Sequence, residues 1–140
     1  MPPVILCFGN PDRGDDAAGA LVARELNLPV SEPAAILDLD PHAHVILVDA
    51  VVTGSAPGTI HTWDARALPL PRETFRCSTH ALGVAEAVEM ARALGRLPAS
   101  MTIYGIEGAQ FEFGTQPRTE VAAAARELAR KLSAQCSGSE

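Results

Sequence analysis

Asp15 and Asp16 stand side by side in GNPDRGDDAAG (residues 9–19), directly after the apolar run VILCF. Adjacent carboxylates among three glycines, where a helix is about to begin, fit a phosphate loop, a plain helix N-terminus, or carboxylates posed for a metal. The phosphate loop fails: Gly9, Gly14 and Gly19 match neither GxGxxG nor GxxxxGK[ST], and no lysine precedes Lys131. Two acids at the loop exit would also repel a phosphate. The helix N-terminus asks for nothing further, since an acid in the first turn gains about 0.3–1 kcal/mol from the helix dipole. A metal needs ligands from elsewhere in the chain.

Those ligands depend on what the other elements carry. Val4–Phe8 is a short, apolar, β-branched run that reads as a buried strand. Ala18, Leu21, Val22 and Leu26 then fall at helical spacing, and Pro29 stops that helix. Val45–Val48 is a second apolar strand closing on Asp49. GSAPG at 54–58 is a turn, and Thr59–Asp64 reads as an edge or antiparallel strand. Gly83–Leu94 is a second amphipathic helix, ended by Gly95 and Pro98. Met101–Ile106 is a third buried strand, and a last helix runs from Pro117 to Leu132.

Apolar strands alternating with helices imply a three-layer α/β/α fold around a mostly parallel, twisted sheet of about 4–5 strands. The chain of 140 residues fits one domain over 1–132 with a polar, frayed tail at 133–140. A hydrophobic fraction of 47% supports a core, and with aromatics at 4% that core is built from Ala, Val, Leu and Ile. The formal charge of −6 argues against nucleic acid or an anionic membrane as partner. No apolar stretch approaches the roughly 18–20 residues that span a bilayer. MPPVILCF lacks the basic start of a signal peptide, and Cys7, Cys77 and Cys136 show no CxxC spacing. Reduced thiols in a cytoplasmic protein are the expectation.

In such a sheet, ligands sit outside the carboxyl ends of the strands. The residues there are Asn10, Asp12, Asp15 and Asp16 after the first strand, Asp49 after the second, and Glu107 after the third. A carboxylate ending a core strand, as Asp49 does, is costly unless bonded or working. His80 precedes a helix whose loop reaches the same end; alone, it would as readily cap or pack. Asp16, Asp49 and His80 come from three separated segments, and together they offer two carboxylates and an imidazole, with room for water or substrate. Such a set suits zinc or nickel better than magnesium. His42 and His44 precede the second strand at the wrong end, and His61 sits on the edge strand, so neither position serves as well.

With these residues in place, the chain resembles the [NiFe]-hydrogenase maturation proteases. The likeness is carried by GNPDRGDDAAG, ILVDAVVTGSAPGT, STHALGVAEAVEMARALGRLP and IYGIEGAQFEFGTQPRTEV. The resemblance implies that Asp16, Asp49 and His80 occupy the positions of the family's metal-contacting acid, acid and histidine. It further implies an endopeptidase that removes the C-terminal extension of the nickel-loaded large-subunit precursor. Nickel would arrive with that substrate, and zinc or cadmium would stand in for it in crystals. Either Asp16 or Asp49 would assist as a base. Two departures stand out. Ala17 replaces the glycine that usually follows the acid pair, and PVSEPAAILDLDPHAH is too short for the family's extra strand and glycine-rich loop. The sheet is therefore expected to be one strand short, and a non-cleaving protein that binds a metal centre or partner is the alternative.

Other readings lack essential residues. A receiver domain needs a lysine at a later strand end, and Lys131 lies inside the last helix. Peptidyl-tRNA hydrolase needs an early histidine, and none precedes His42. Cys77 lies near His80 in sequence, which is no evidence of a catalytic geometry. Ser78 and Thr79 suit a helix cap better than a nucleophile.

Overall fold

The computed structural model describes residues 2–75 and 82–138. β1 (Val4–Cys7), β2 (His44–Val51), β3 (Ile60–Asp64) and β4 (Ser100–Glu107) form one sheet in the order β1-β2-β4-β3. β1, β2 and β4 are parallel, and β3 runs antiparallel to β4 at the edge. The helices are α1 (Ala18–Glu25), α2 (Val84–Ala93) and α3 (Thr119–Gly138), the last continuing past Leu132 to Gly138.

The apolar strands follow from burial on both faces. In β2, Val45, Leu47 and Val51 pack with α2 through Val84, Ala85 and Val88, while Ile46, Val48 and Ala50 pack with α1 and α3 through Val22, Val121 and Leu128. Alternate residues thus serve different layers, so neither face tolerates polarity and the run reads as continuous. Asp49 lies within β2, two positions before its end, because the strand extends to Val51.

Where a further strand was expected to be missing, residues 29–44 hold a 3-10 helix at Pro33–Asp38. A single parallel bridge, Cys7 with Val30, is all the pairing that segment offers to β1. Pro33 at the head of this segment favours a helical turn over a ladder that needs every N–H. Its Ile36 is fully buried in the α2 layer.

Gly9 and Gly19 let α1 sit close against the exit of β1. Gly9 has φ +139°, and a Cβ there would run into the Asp16 carbonyl; a Cβ on Gly19 would meet the Phe8 backbone. Both clashes are with main chain, which cannot swing aside. Gly9→Ala is therefore expected to cost at least about 2 kcal/mol, combining backbone strain with overpacking. A urea-denaturation midpoint unchanged from the parent would contradict that close approach.

Candidate active site

Gly14–Ala17 forms a single 3-10 turn that leads into α1 and buries both members of the acid pair. Their side chains do different jobs. Asp15 Oδ2 accepts hydrogen bonds from the N–H groups of Ala109 (2.8 Å) and Gln110 (2.9 Å), and Oδ1 accepts one from Arg118 N–H (2.7 Å). The Arg118 guanidinium adds a contact at 3.8 Å. Asp15 is a staple that fixes the loop between β4 and α3. Backbone bonds from Asp15 N–H to Gln110 and from Gly14 N–H to Thr115 reinforce it.

Asp16 faces the other way. Its Oδ2 accepts the Asn10 N–H at 3.0 Å and lies 3.9 Å from the Arg13 guanidinium. It is 3% exposed, and Asp49 is 6% exposed. Asp49 Oδ1 accepts the N–H of Ala50 at 2.9 Å, and its other oxygen makes no hydrogen bond among the described residues. Burial pushes the Asp49 carboxyl well above the usual range, and the neighbouring charge of Asp16 pushes it further; the Ala50 N–H opposes both. Two buried carboxylates that repel each other form a place where a cation relieves the repulsion.

The Asp16 and Asp49 carboxylates thus lie close enough for their charges to interact. His80 lies in residues 76–81, outside the described residues, as do Cys77, Ser78 and Thr79. His44 stands at the opposite end of the sheet, its Nδ1 2.7 Å from Ser100 Oγ. A surface cleft of about 540 Å³ between α1 and α3, lined by Glu25, Leu26, Arg126 and Arg130, contains none of the candidate residues.

Glu107 is the feature that sequence reasoning placed at the right end without seeing its role. It ends β4, is 1% exposed, and sits on the face of the sheet that carries Asp49. Its Oε2 accepts the N–H groups of Thr53 (2.8 Å) and Gly54 (3.2 Å). Its Oε1 accepts the Thr53 hydroxyl (2.5 Å) and faces His61 Nε2 at 3.0 Å. Burial alone would raise the Glu107 carboxyl, but the Thr53 hydroxyl and N–H, His61 and the Gly54 N–H outweigh it and hold it low. A group whose pKa falls on folding stabilises the fold above its unfolded value, 4.5 here, and loses that contribution as pH drops through the folded value. Glu107→Gln is accordingly expected to flatten the fall in stability below pH 4.5, measured as urea midpoints between pH 6 and pH 3. An unchanged acid limb would contradict the bonding described.

The fold is an open α/β sheet of four strands with helices on both faces, carrying Asp16 after β1 and Asp49 near the carboxyl end of β2. A model of the hydrogenase maturation proteases, HycI, matches residues 31–135. The structure of the hydrogenase maturating endopeptidase HybD from Escherichia coli aligns with a TM-score of 0.76 at 22% identity, covering 99% of this chain and 94% of that one. The solution structure of the endopeptidase HycI from Escherichia coli gives 0.70 at 25% identity, covering 94% and 89%. The [NiFe] hydrogenase maturation protease HybD from Thermococcus kodakarensis gives 0.71 at 23% identity, covering 97% and 99%. No curated protein matches the chain by sequence. The chain belongs to the hydrogenase maturation protease family.

Proposed function

We propose that this protein is an endopeptidase that removes the C-terminal extension of a nickel-loaded [NiFe]-hydrogenase large-subunit precursor in the cytoplasm. The observation that carries this reading is the pair of buried, mutually repelling carboxylates, Asp16 and Asp49, in a chain of this family. Asp16 and Asp49, with His80 as the third ligand, would hold the nickel that arrives with the precursor. A bound divalent ion polarises a carbonyl or activates water. The protein's own contribution is to hold the two carboxylates in a nearly dry site, where their preference for a cation is strongest. One of them would also take a proton from water.

The test is cleavage of nickel-loaded precursor by the purified protein, followed by mass spectrometry of the released peptide. Asp16→Ala is expected to abolish cleavage with little change in the far-UV circular dichroism spectrum. Processing at the parental rate by that variant would remove the ligand assignment. Soaking with nickel, zinc or cadmium provides the structural counterpart, with density expected between Asp16, Asp49 and His80.

The 3-10 helix at Pro33–Asp38 favours one second reading, a family member that binds a metal centre or partner without cutting it. Such a protein would form a complex with the precursor and leave the extension intact. The same assay separates the two.

A further inference from the structure

His61 is held on two sides and open on a third. Its Nε2 faces the Glu107 carboxylate at 3.0 Å, and its ring lies 5.6 Å from that of Trp63, which in turn packs on Phe75 at 5.2 Å. The side chain is 22% exposed, and Nδ1 makes no hydrogen bond among the described residues. Glu107 Oε2 is occupied by two backbone N–H groups, and Oε1 takes the Thr53 hydroxyl as well as His61. An ionised carboxylate only accepts, so the imidazole must donate from Nε2. In the neutral ring Nδ1 is then a bare lone pair, fixed in direction by a buried anion and an aromatic wall.

The strand register places His61 on the face of the sheet that carries Asp49. Asp49 pairs with Gly105 and Gly105 with His61, so the two side chains stand on one face, two strands apart. Strand spacing makes that about 10 Å, the reach of about three extended residues. The Val51 and Trp63 side chains stand over Gly105 in the space between, which sends any polypeptide reaching both over the rim. Val52, half-exposed at 45%, and Thr53 form that rim.

We propose that His61, oriented by Glu107, is a substrate-contacting residue whose Nδ1 accepts a hydrogen bond from an N–H of the polypeptide bound at Asp16 and Asp49. This rests on the peptide-cleaving reading. The ligand group is a donor, a backbone amide or a basic side chain, because a lone pair beside a carboxylate repels acceptors. Glu107 is a positioning residue: it sets the tautomer and touches no substrate.

Two variants test this with readouts that separate. His61→Ala is expected to raise KM for the nickel-loaded precursor about 3- to 10-fold, the loss of one hydrogen bond, with kcat within about twofold. Glu107→Gln keeps the ring but changes the tautomer. Its amide oxygen must take the two backbone N–H groups, which turns its NH₂ toward His61 and moves the imidazole proton to Nδ1. A donor would then oppose the substrate N–H, so this variant is expected to lose at least as much in KM as His61→Ala. Long-range ¹H–¹⁵N spectra read the tautomer without any substrate: Nε2–H in the parent and Nδ1–H in Glu107→Gln. A parent showing Nδ1–H, or a His61→Ala variant with unchanged KM, overturns the proposal. Calorimetric binding of the precursor separates it from the functional reading. Binding without cleavage, weakened in His61→Ala, would remove the protease and keep the contact. Equal binding by parent and variant, or none by either, removes the contact.

Discussion

Asp49→Asn is expected to make the protein more stable at neutral pH while abolishing precursor processing. The carboxylate is buried beside Asp16, so its ionised form is disfavoured in the fold for two reasons, burial first and the neighbouring charge second. Asparagine keeps the oxygen that accepts the Ala50 N–H and removes the repulsion. A gain on the order of 1–3 kcal/mol is expected. The sign has a pH signature. A carboxyl whose pKa is raised by folding costs stability above the folded value, and that cost fades as pH falls toward the unfolded value of 3.8. The gap between variant and parent, read as urea midpoints, should therefore be widest near pH 7 and close as pH approaches 3.8. A variant less stable than the parent at pH 7 would mean that Asp49 is a structural group and would weaken its assignment to the cation. Nickel added to the parent should recover part of the same gap, because a bound cation cancels the repulsion.

Asp15→Ala is expected to do the opposite, although it alters the residue beside Asp16. It would strand the N–H groups of Ala109, Gln110 and Arg118, all served by one carboxylate that is 0% exposed. Removing a buried anion that satisfies three donors costs about 3–5 kcal/mol. The loss falls first on the loop between β4 and α3, so amide exchange there should rise before the rest of the sheet opens. Asp15→Asn is expected to recover only part, since an amide supplies one accepting oxygen where the carboxylate offers two. Thermal melts of the two variants, with exchange at Ala109 and Gln110, check this. A melting temperature for Asp15→Ala within a degree or two of the parent would contradict the staple.

The contrast between these neighbours explains what could be read from the sequence. The strands and helices were legible because each is apolar at one period over several residues, and both faces of β2 are covered, as its unbroken run implies. Asp16 and Asp49 were legible because a parallel sheet delivers strand exits to one edge. The role of Asp15 was not, since its partners lie in residues 109–118, more than ninety positions away, and local composition says nothing of them. Glu107 was placed at the correct end, but its pairing with His61 depends on β3 running antiparallel to β4, with Ile60 opposite Ile106. No spacing in the chain encodes that register. The exact end of β2 escaped for a simpler reason: Asp49 interrupts the apolar run, yet Ala50 and Val51 continue the ladder.

The single bridge at Cys7 bears on solubility. In a parallel ladder alternate residues turn both peptide groups outward. The Phe8 N–H donates to the Val48 carbonyl, so by alternation Leu6 and Val4 also serve β2, while Ile5, Cys7 and Pro3 just before the strand face away from it. Proline has no hydrogen to offer, and the Cys7 carbonyl takes the N–H of Ser31 at 2.8 Å. Ile5 and at most the Cys7 N–H are what this edge has left to offer a foreign strand, too short a template for fibril growth. The chain can thus dispense with an outer strand and still keep this border of the sheet from recruiting its own copies.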